Sequence, residues 1–403
     1  MQDVVIEEPY EFVPPLYGKI WPKLIGLYMG RYLRKKYGVT SIESRDVGLL
    51  QASLDAGHGV LLAPNHCRLC DPLTLSPISR KINRNLHAMA AWHLFKQDGF
   101  QRFVLRRMGA FSIYREGVDR QALNTAIDIL VDGRRPLVVF PEGAVSRHND
   151  VIMPLLDGTS FIAHTAAKRR EKQGDSGGVV IHPIAIRYFF RGNLRETVTP
   201  VLEEIESHFS WYPQPKNSLI GRLQQIGQAL LSLKEIEYLG SARVGDFYER
   251  VDALIEDVLA KLEAEWGAKD LEEGIVARVK NLRSAILPEM VNNSITTEER
   301  QRRRQQLAAC HYVQQMSHYP RQYVRRSEKN VSEHILETAE RFEEDFTDQV
   351  RVHGPLHVVI QVGDAIPVNS QRNRKLKADP VMEGIRTQLT DMLTKLSAEA
   401  PKV

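Results

Sequence analysis

The chain has 403 residues, 43% of them hydrophobic and 26% charged, a globular composition with enough apolar material for one large domain or two to three smaller ones. A net charge of +4 favours anionic partners only weakly, and three cysteines are too few for a disulfide framework, which points to a reducing, cytosolic setting. No window of about eighteen consecutive apolar residues occurs, so no membrane span is expected. The acidic opening "MQDVVIEEPYEF" also lacks the charged-then-apolar order of a secretory signal.

Residues 1–39 read as an N-terminal amphipathic helical arm. Within "YGKIWPKLIGLYMGRYLRKKYG" (17–38), Ile20, Trp21, Leu24, Ile25, Leu27, Tyr28, Tyr32 and Leu33 recur at roughly helical spacing, and lysines and arginines take many of the other places. Such a face is ordinarily a core face. The Trp/Tyr/Lys/Arg mixture also suits a helix resting on anionic lipid.

Residues 40–195 alternate strand and helix. "GVLLAP" (59–64), "RPLVVFP" (135–141) and "GVVIHPIAIRYFF" (178–190) read as strands, with helices over "RQALNTAIDILVDG" (120–133) and "GTSFIAHTAAKRREKQG" (158–174). Buried strands interleaved with helices imply an α/β layered fold, whose functional groups gather at strand ends. Residues 196–354 are nearly all helix-forming and read as a large helical insertion, with the amphipathic "VGDFYERVDALIEDVLAKLEAEWG" (244–267) and a basic stretch at 298–326. A solvated helix face is the commonest explanation of that stretch. A membrane-surface patch is the second, and no nucleic-acid motif accompanies it. Residues 355–403 return to strand in "PLHVVIQVGDAIPV" (355–368), pass through a charged loop at 369–377 and close with a helix.

"APNHCRLCDP" (63–72) carries the first chemistry. A His-x4-Asp spacing alone is weak evidence, but His66 follows a strand and Asp71 precedes Pro72 and an apolar helical run. Asp before Pro is also a standard helix cap, so Asp71 has a purely structural reading. An imidazole held through one nitrogen by a carboxylate leaves the other as a fixed acceptor, which a general base requires. Cys67 and Cys70 form a C-x-x-C without the flanking sequence of redox motifs, and zinc lacks a second ligand pair, so both read as packing residues and no metal is expected.

Three further stretches follow: "MGAFSIYRE" (108–116) with Arg115, "VFPEGAVSR" (139–147) with Glu142, Gly143 and Arg147, and "VIHPIAIRY" (180–188) with Pro183 inside a strand. Singly, these are a surface arginine, a turn and an edge-strand proline. In this order after His-x4-Asp, the set resembles the four blocks of the glycerolipid acyltransferases, the 1-acylglycerol-3-phosphate acyltransferase family, over roughly residues 40–195. "VVIQVGDAIPV" (358–368) resembles the strand and turn that close that domain.

The resemblance implies an acyltransferase with His66 as base and Asp71 as its orienting partner. Arg115 would bind the acceptor's phosphate, with Arg147 at a second basic position. Glu142 and Gly143 would shape the acceptor pocket, Glu142 through hydroxyl contacts, and Pro183 would bend its wall. The donor would be acyl-CoA or acyl carrier protein, with no other cofactor. The acceptor would be 1-acylglycerol-3-phosphate, or else glycerol 3-phosphate or another lysolipid. A non-catalytic lipid-binding member of the fold is the remaining alternative. The protein would work in the cytoplasm, peripherally on an anionic membrane surface, without nucleic acid. The pattern departs from the family's at Ala144 and Val145, where Thr-Arg is usual, and in the residues between His66 and Asp71.

Overall fold

A computed structural model describes residues 6–175, 177–212, 216–267, 274–321, 323, 331–372 and 378–401. In chain order the elements are α1 (Ile20–Tyr37), β1 (Val39–Arg45), α2 (Val47–Asp55), β2 (Gly59–Pro64), α3 (Asp71–Thr74), α4 (Ser76–Lys81), β3 (His87–Ala91), α5 (Gly99–Arg107), β4 (Ala110–Ile113), α6 (Arg120–Asp132), β5 (Leu137–Val138), α7 (Gly158–Lys172) and β6 (Val179–Phe190). A run of helices follows: α8 (Leu194–His208), α9 (Leu219–Leu239), α10 (Phe247–Trp266), α11 (Ile275–Val291), α12 (Thr297–Ser317) and α13 (Ser332–Thr347). The chain closes with β7 (Leu356–Val362), β8 (Ile366–Val368) and α14 (Pro380–Ser397).

These elements form two compact units. One comprises the described residues of Tyr10–Arg191 with Gly354–Ala400, the other those of Met1–Pro9, Gly192–His353 and Pro401–Val403. The first is a mixed α/β unit. Among the described residues its sheet runs β1-β7-β6-β2-β5-β3-β4, with β8 beside β6. Every pairing is parallel except those of β6 with β7 and with β8. Central strands are covered on both faces, which is why β2 reads as an unbroken apolar run, why β6 is apolar apart from His182 and Arg187, and why both are buried at every position.

Two prolines define local geometry. The apolar run 135–141 predicts a longer strand than the two residues of β5. Pro136 and Pro141 carry no amide proton, so pairing stops there and the chain turns, Gly143 N–H donating to Phe140 C=O at 3.1 Å. Pro183 sits in a central strand, not at an edge. Its place is the gap on one side of β6 between β8, which pairs through Ile181, and β7, which pairs from Ile184. No ladder donor is required at that point, and the Pro183 carbonyl still accepts from Gly363 N–H at 2.8 Å.

At the opposite end of β2, Gly59 has no room for a side chain. A Cβ there would lie 2.1 Å from the Leu130 carbonyl oxygen of α6. The neighbouring carbonyls are gathered by Arg170 of α7, a buried side chain whose guanidinium donates to Gly57 O at 2.7 Å, Val131 O at 2.8 Å and Leu130 O at 3.3 Å.

The second unit is helical among its described residues. Leu254, Leu259, Leu282, Ile286, Leu307 and Val313 form the centre of its core. Buried ion pairs brace it, Arg222 meeting both Glu206 oxygens at 2.7 Å and Arg250 bonding Glu235 at 3.0 and 2.7 Å. The described part of the basic stretch lies mainly on α12, and there each arginine faces acid. Arg300 and Arg304 pair with Glu7, Arg302 with Glu299 and Glu265, Arg303 with Glu299 and Glu289, and Arg321 beyond the helix with Asp252. Its remainder, 322 and 324–326, lies outside the described residues, as does most of the charged loop 369–377.

Replacing Arg170 with Met leaves buried carbonyl groups without a donor. It should lower the unfolding free energy by about 2–4 kcal/mol. Urea denaturation followed by circular dichroism measures this, and a change under about 0.5 kcal/mol would show that water replaces the guanidinium.

Candidate active site

β2 delivers His66 by leaving the sheet. Its register with β6 ends at Pro64 opposite Ile184, and the next amide, Asn65 N–H, donates to Ile184 O. From there two side-chain amides take over the missing strand. Asn65 accepts from Ile186 N–H at 2.7 Å and donates to Ile186 O at 3.0 Å. Asn149 does the same for Tyr188, at 2.8 and 3.2 Å. The buried polar backbone of β6 thus stays paired while the main chain turns away carrying His66.

The His66 Nδ1 lies 2.9 Å from Asp71 Oδ2. A carboxylate can only accept, so Nδ1 carries the shared proton and Nε2 presents its lone pair. Nε2 has no hydrogen-bond partner among the described residues, and the imidazole is 12% exposed while Asp71 is wholly buried. The ring stacks on Phe140, centroids 4.1 Å apart. Its main chain is clasped by the loop after β5. His66 N–H donates to Glu142 Oε1 at 2.6 Å, and the His66 carbonyl accepts from Ser146 N–H at 2.8 Å and Ser146 Oγ at 3.1 Å.

Asp71 is not a helix cap. It is the first residue of α3, and its carboxylate bonds no amide of that short helix. Oδ2 accepts from Arg68 N–H at 2.9 Å besides His66, while Oδ1 accepts from the Tyr188 hydroxyl at 2.6 Å, with the Cys67 thiol at 3.8 Å.

The other residues of the motifs divide into two groups. Glu142 is buried, and both its oxygens accept main-chain N–H groups, from His66 and from Met153 at 3.0 Å. Burial raises its carboxyl to about 7 against the pull of those two amides, and the charge of Asp71 adds to the rise. Gly143 has φ +69°, and a Cβ there would meet Leu156 at 2.4 Å, so the turn requires glycine. Arg115 and Arg147 are less enclosed. Arg115 is exposed on the loop after β4, a loop closed by Asp119, which accepts from Tyr114 N–H at 3.0 Å and from Ala122 N–H of α6 at 2.9 Å. Arg147 directly follows the serine that holds His66 and takes φ +67°, a left-handed conformation that a non-glycine residue adopts only when its surroundings impose it.

Both cysteines are buried, and Cys70 Sγ contacts the Tyr188 hydroxyl at 3.3 Å. Burial and the adjacent Asp71 push its thiol up to about 12, far from a reactive thiolate. Among the described residues no three His, Cys, Asp or Glu converge as a metal set. Sequence reasoning missed Asn65, Phe140, Ser146, Asn149 and Tyr188. Only Asn65 had a local signal, its place beside His66; the others reach the site through tertiary contacts.

The raised Glu142 carboxyl makes stability depend on pH. The folded state holds this proton to higher pH than the unfolded chain, so its contribution is complete below the ordinary carboxylate range and is lost as pH rises through about 7. Thermal unfolding between pH 5 and 8 should therefore show wild type losing stability with rising pH more steeply than Glu142→Gln. Parallel curves would mean that Glu142 is ionised throughout.

Residues 44–187 match the family model described as Acyltransferase, about a third of the chain, and His66, Asp71, Arg115, Glu142, Gly143 and Arg147 all fall inside that span. No curated protein matches the chain. The family match supports acyl transfer in general by this α/β unit.

Proposed function

We propose that this protein moves a fatty acyl group from a thioester, acyl-CoA or acyl carrier protein, to the hydroxyl of a phosphorylated glycerolipid. The first acceptor is 1-acylglycerol-3-phosphate, the second glycerol 3-phosphate. The observation that carries the reading is the His66–Asp71 contact, with Nε2 left open, inside the region that matches the Acyltransferase family. His66 Nε2 takes the acceptor's proton as its oxygen attacks the thioester carbonyl. The carbonyl electron pair moves onto oxygen, returns to expel the thiolate, and the imidazolium supplies the proton that the thiolate takes. A thioester is already activated, so no enzyme nucleophile is required, and the buried high-pKa thiol of Cys70 makes an acyl-cysteine route the weaker one. Arg115 and Arg147 are the proposed phosphate ligands, being planar multi-donor cations on loops at strand ends. Glu142 supports the site by holding the His66 main chain, in place of the hydroxyl contact that the family resemblance implies.

The site needs a membrane surface to meet a lipid acceptor, and we propose that α1 and α5 provide it. Only Met29 and Leu33 of α1 are buried, so its apolar face is not a core face. Leu27 of α1 and Phe100 of α5 are each 77% exposed, and Ile20, Leu24, Tyr28 and Tyr32 are also open to solvent. The two helices meet through Trp21 and Phe103, with Arg107 over both rings. They carry Lys23, Arg31, Arg34, Lys35, Lys36, Arg102, Arg106 and Arg107 with no acidic residue, and none of these cations pairs with a carboxylate among the described residues. The arginines of α12 are matched by acid and those of α1 and α5 are not, so the attraction to anionic lipid, about 1 kcal/mol per basic residue, belongs to the latter. No helix of the described residues is long and apolar enough to cross a membrane.

His66→Ala should remove at least about a hundredfold of turnover with acyl-CoA and a phosphorylated lysolipid panel. A folded variant with near-wild-type turnover would overturn the base mechanism. In vesicle co-sedimentation, binding should rise with anionic lipid and fall with salt, and Leu27→Glu with Phe100→Glu should weaken it at least about tenfold. Binding indifferent to anionic lipid, or unchanged in that double variant, would rule out the α1–α5 face.

A further inference from the structure

We propose that Tyr188 is a positioning residue for the His66–Asp71 pair, its hydroxyl setting how strongly Asp71 draws on the imidazole. The inference rests on the reading of His66 and Asp71 as a working pair, and Tyr188 itself touches no reacting atom.

Packing alone does not account for this side chain. Tyr188 lies on β6 with its ring fully buried, and the guanidinium of Arg68 covers it, 5.3 Å from the ring centroid. Phenylalanine would fill the same space without bringing a polar atom into the interior. The hydroxyl is instead aimed at one carboxylate oxygen, Asp71 Oδ1, at 2.6 Å, with Cys70 Sγ at 3.3 Å behind it. Burial pushes the phenol well above its ordinary value, and the charge of Asp71 pushes it further, so it stays protonated and donates.

The two Asp71 oxygens divide the work. Oδ2 serves His66 and the Arg68 amide, while among the described residues Oδ1 has the phenol and a distant thiol. The titratable and charged groups facing this carboxylate are His66, Cys67, Arg68 and Cys70 from its own loop, Tyr188 from β6 and Glu142 from the loop after β5. Among them Tyr188 is the strong donor to Oδ1. Without it, a wholly buried carboxylate would lean on the imidazole for its missing bond and would hold the imidazolium more tightly. A higher imidazole pKa leaves less of the ring neutral and able to accept a proton near pH 7, and it makes the imidazolium a weaker acid for the departing thiolate. The hydroxyl therefore tunes the pair as well as holding it.

The test reads the His66 imidazole directly, by NMR titration of histidine-labelled protein without substrate. In Tyr188→Phe its apparent pKa should rise by roughly one unit, about the energy of one hydrogen bond to a charged group. The acidic limb of the kcat/KM profile should move up with it. Placing 3-fluorotyrosine at position 188, a one-atom change with a more acidic phenol and a stronger donor, should move the titration downward. Titrations that coincide with wild type in both proteins would overturn the proposal. Because the NMR readout needs no turnover, an absence of acyl transfer would count against the catalytic reading alone.

Discussion

A charged carboxylate with no exposure to water is the constraint around which the α/β unit is arranged. Burying an ion costs several kcal/mol unless donors surround it. Asp71 meets that demand from three directions: the His66 ring, the Arg68 amide of its own loop, and the Tyr188 phenol of β6. Each donor has a structural consequence. The imidazole is locked in one tautomer, the loop from His66 to Asp71 is folded back on itself, and that loop is tied to the longest strand of the sheet. The five-residue spacing in "HCRLCD" therefore allows a single loop to present the imidazole and bury its acid partner together.

The histidine is held as firmly through its main chain as through its ring. The loop after β5 grips both sides of one residue, Glu142 taking the His66 amide and Ser146 taking its carbonyl. The departures from the usual family pattern fall where this packing can accommodate them. Val145 is buried beside the serine that does the holding, while Cys67 and Cys70 are small buried side chains next to Asp71 and Tyr188. A thiol fits there because it packs as a small apolar group and is also a weak donor.

Two basic regions of comparable composition behave differently because of what lies across from them. On α12 the arginines face Glu7, Glu265, Glu289 and Glu299, so the surface carries little excess charge. On α1 and α5 the cations stand among exposed aromatic and aliphatic side chains, and among the described residues no carboxylate pairs with them. Only the second arrangement combines uncompensated charge with apolar area that water would give up.

The strands over 59–64 and 179–190, the helices over 120–132 and 158–172, and the return to strand near 356 were legible in the sequence, because period and burial are local consequences of residue type. So was the His66–Asp71 pair, because both partners lie on one short loop. Other features were set by contacts between residues far apart in the chain, which no local pattern records. Pro183 looked like an edge residue until β7 and β8 were seen to leave a gap beside it. Asp71 also suited a helix cap, but it opens α3 itself and its carboxylate bonds His66, the Arg68 amide and the Tyr188 phenol and no amide of that helix. Nothing local showed that both Glu142 oxygens accept main-chain amides, and the helix at 20–37, whose face suited either a core or a lipid surface, keeps most of its apolar residues exposed. The sequence by itself determined which backbone elements form and which side chains are capable of the chemistry. Tertiary structure alone decided which buried donor meets which buried charge, because that choice depends on strands and loops a hundred or more residues apart arriving at the same place.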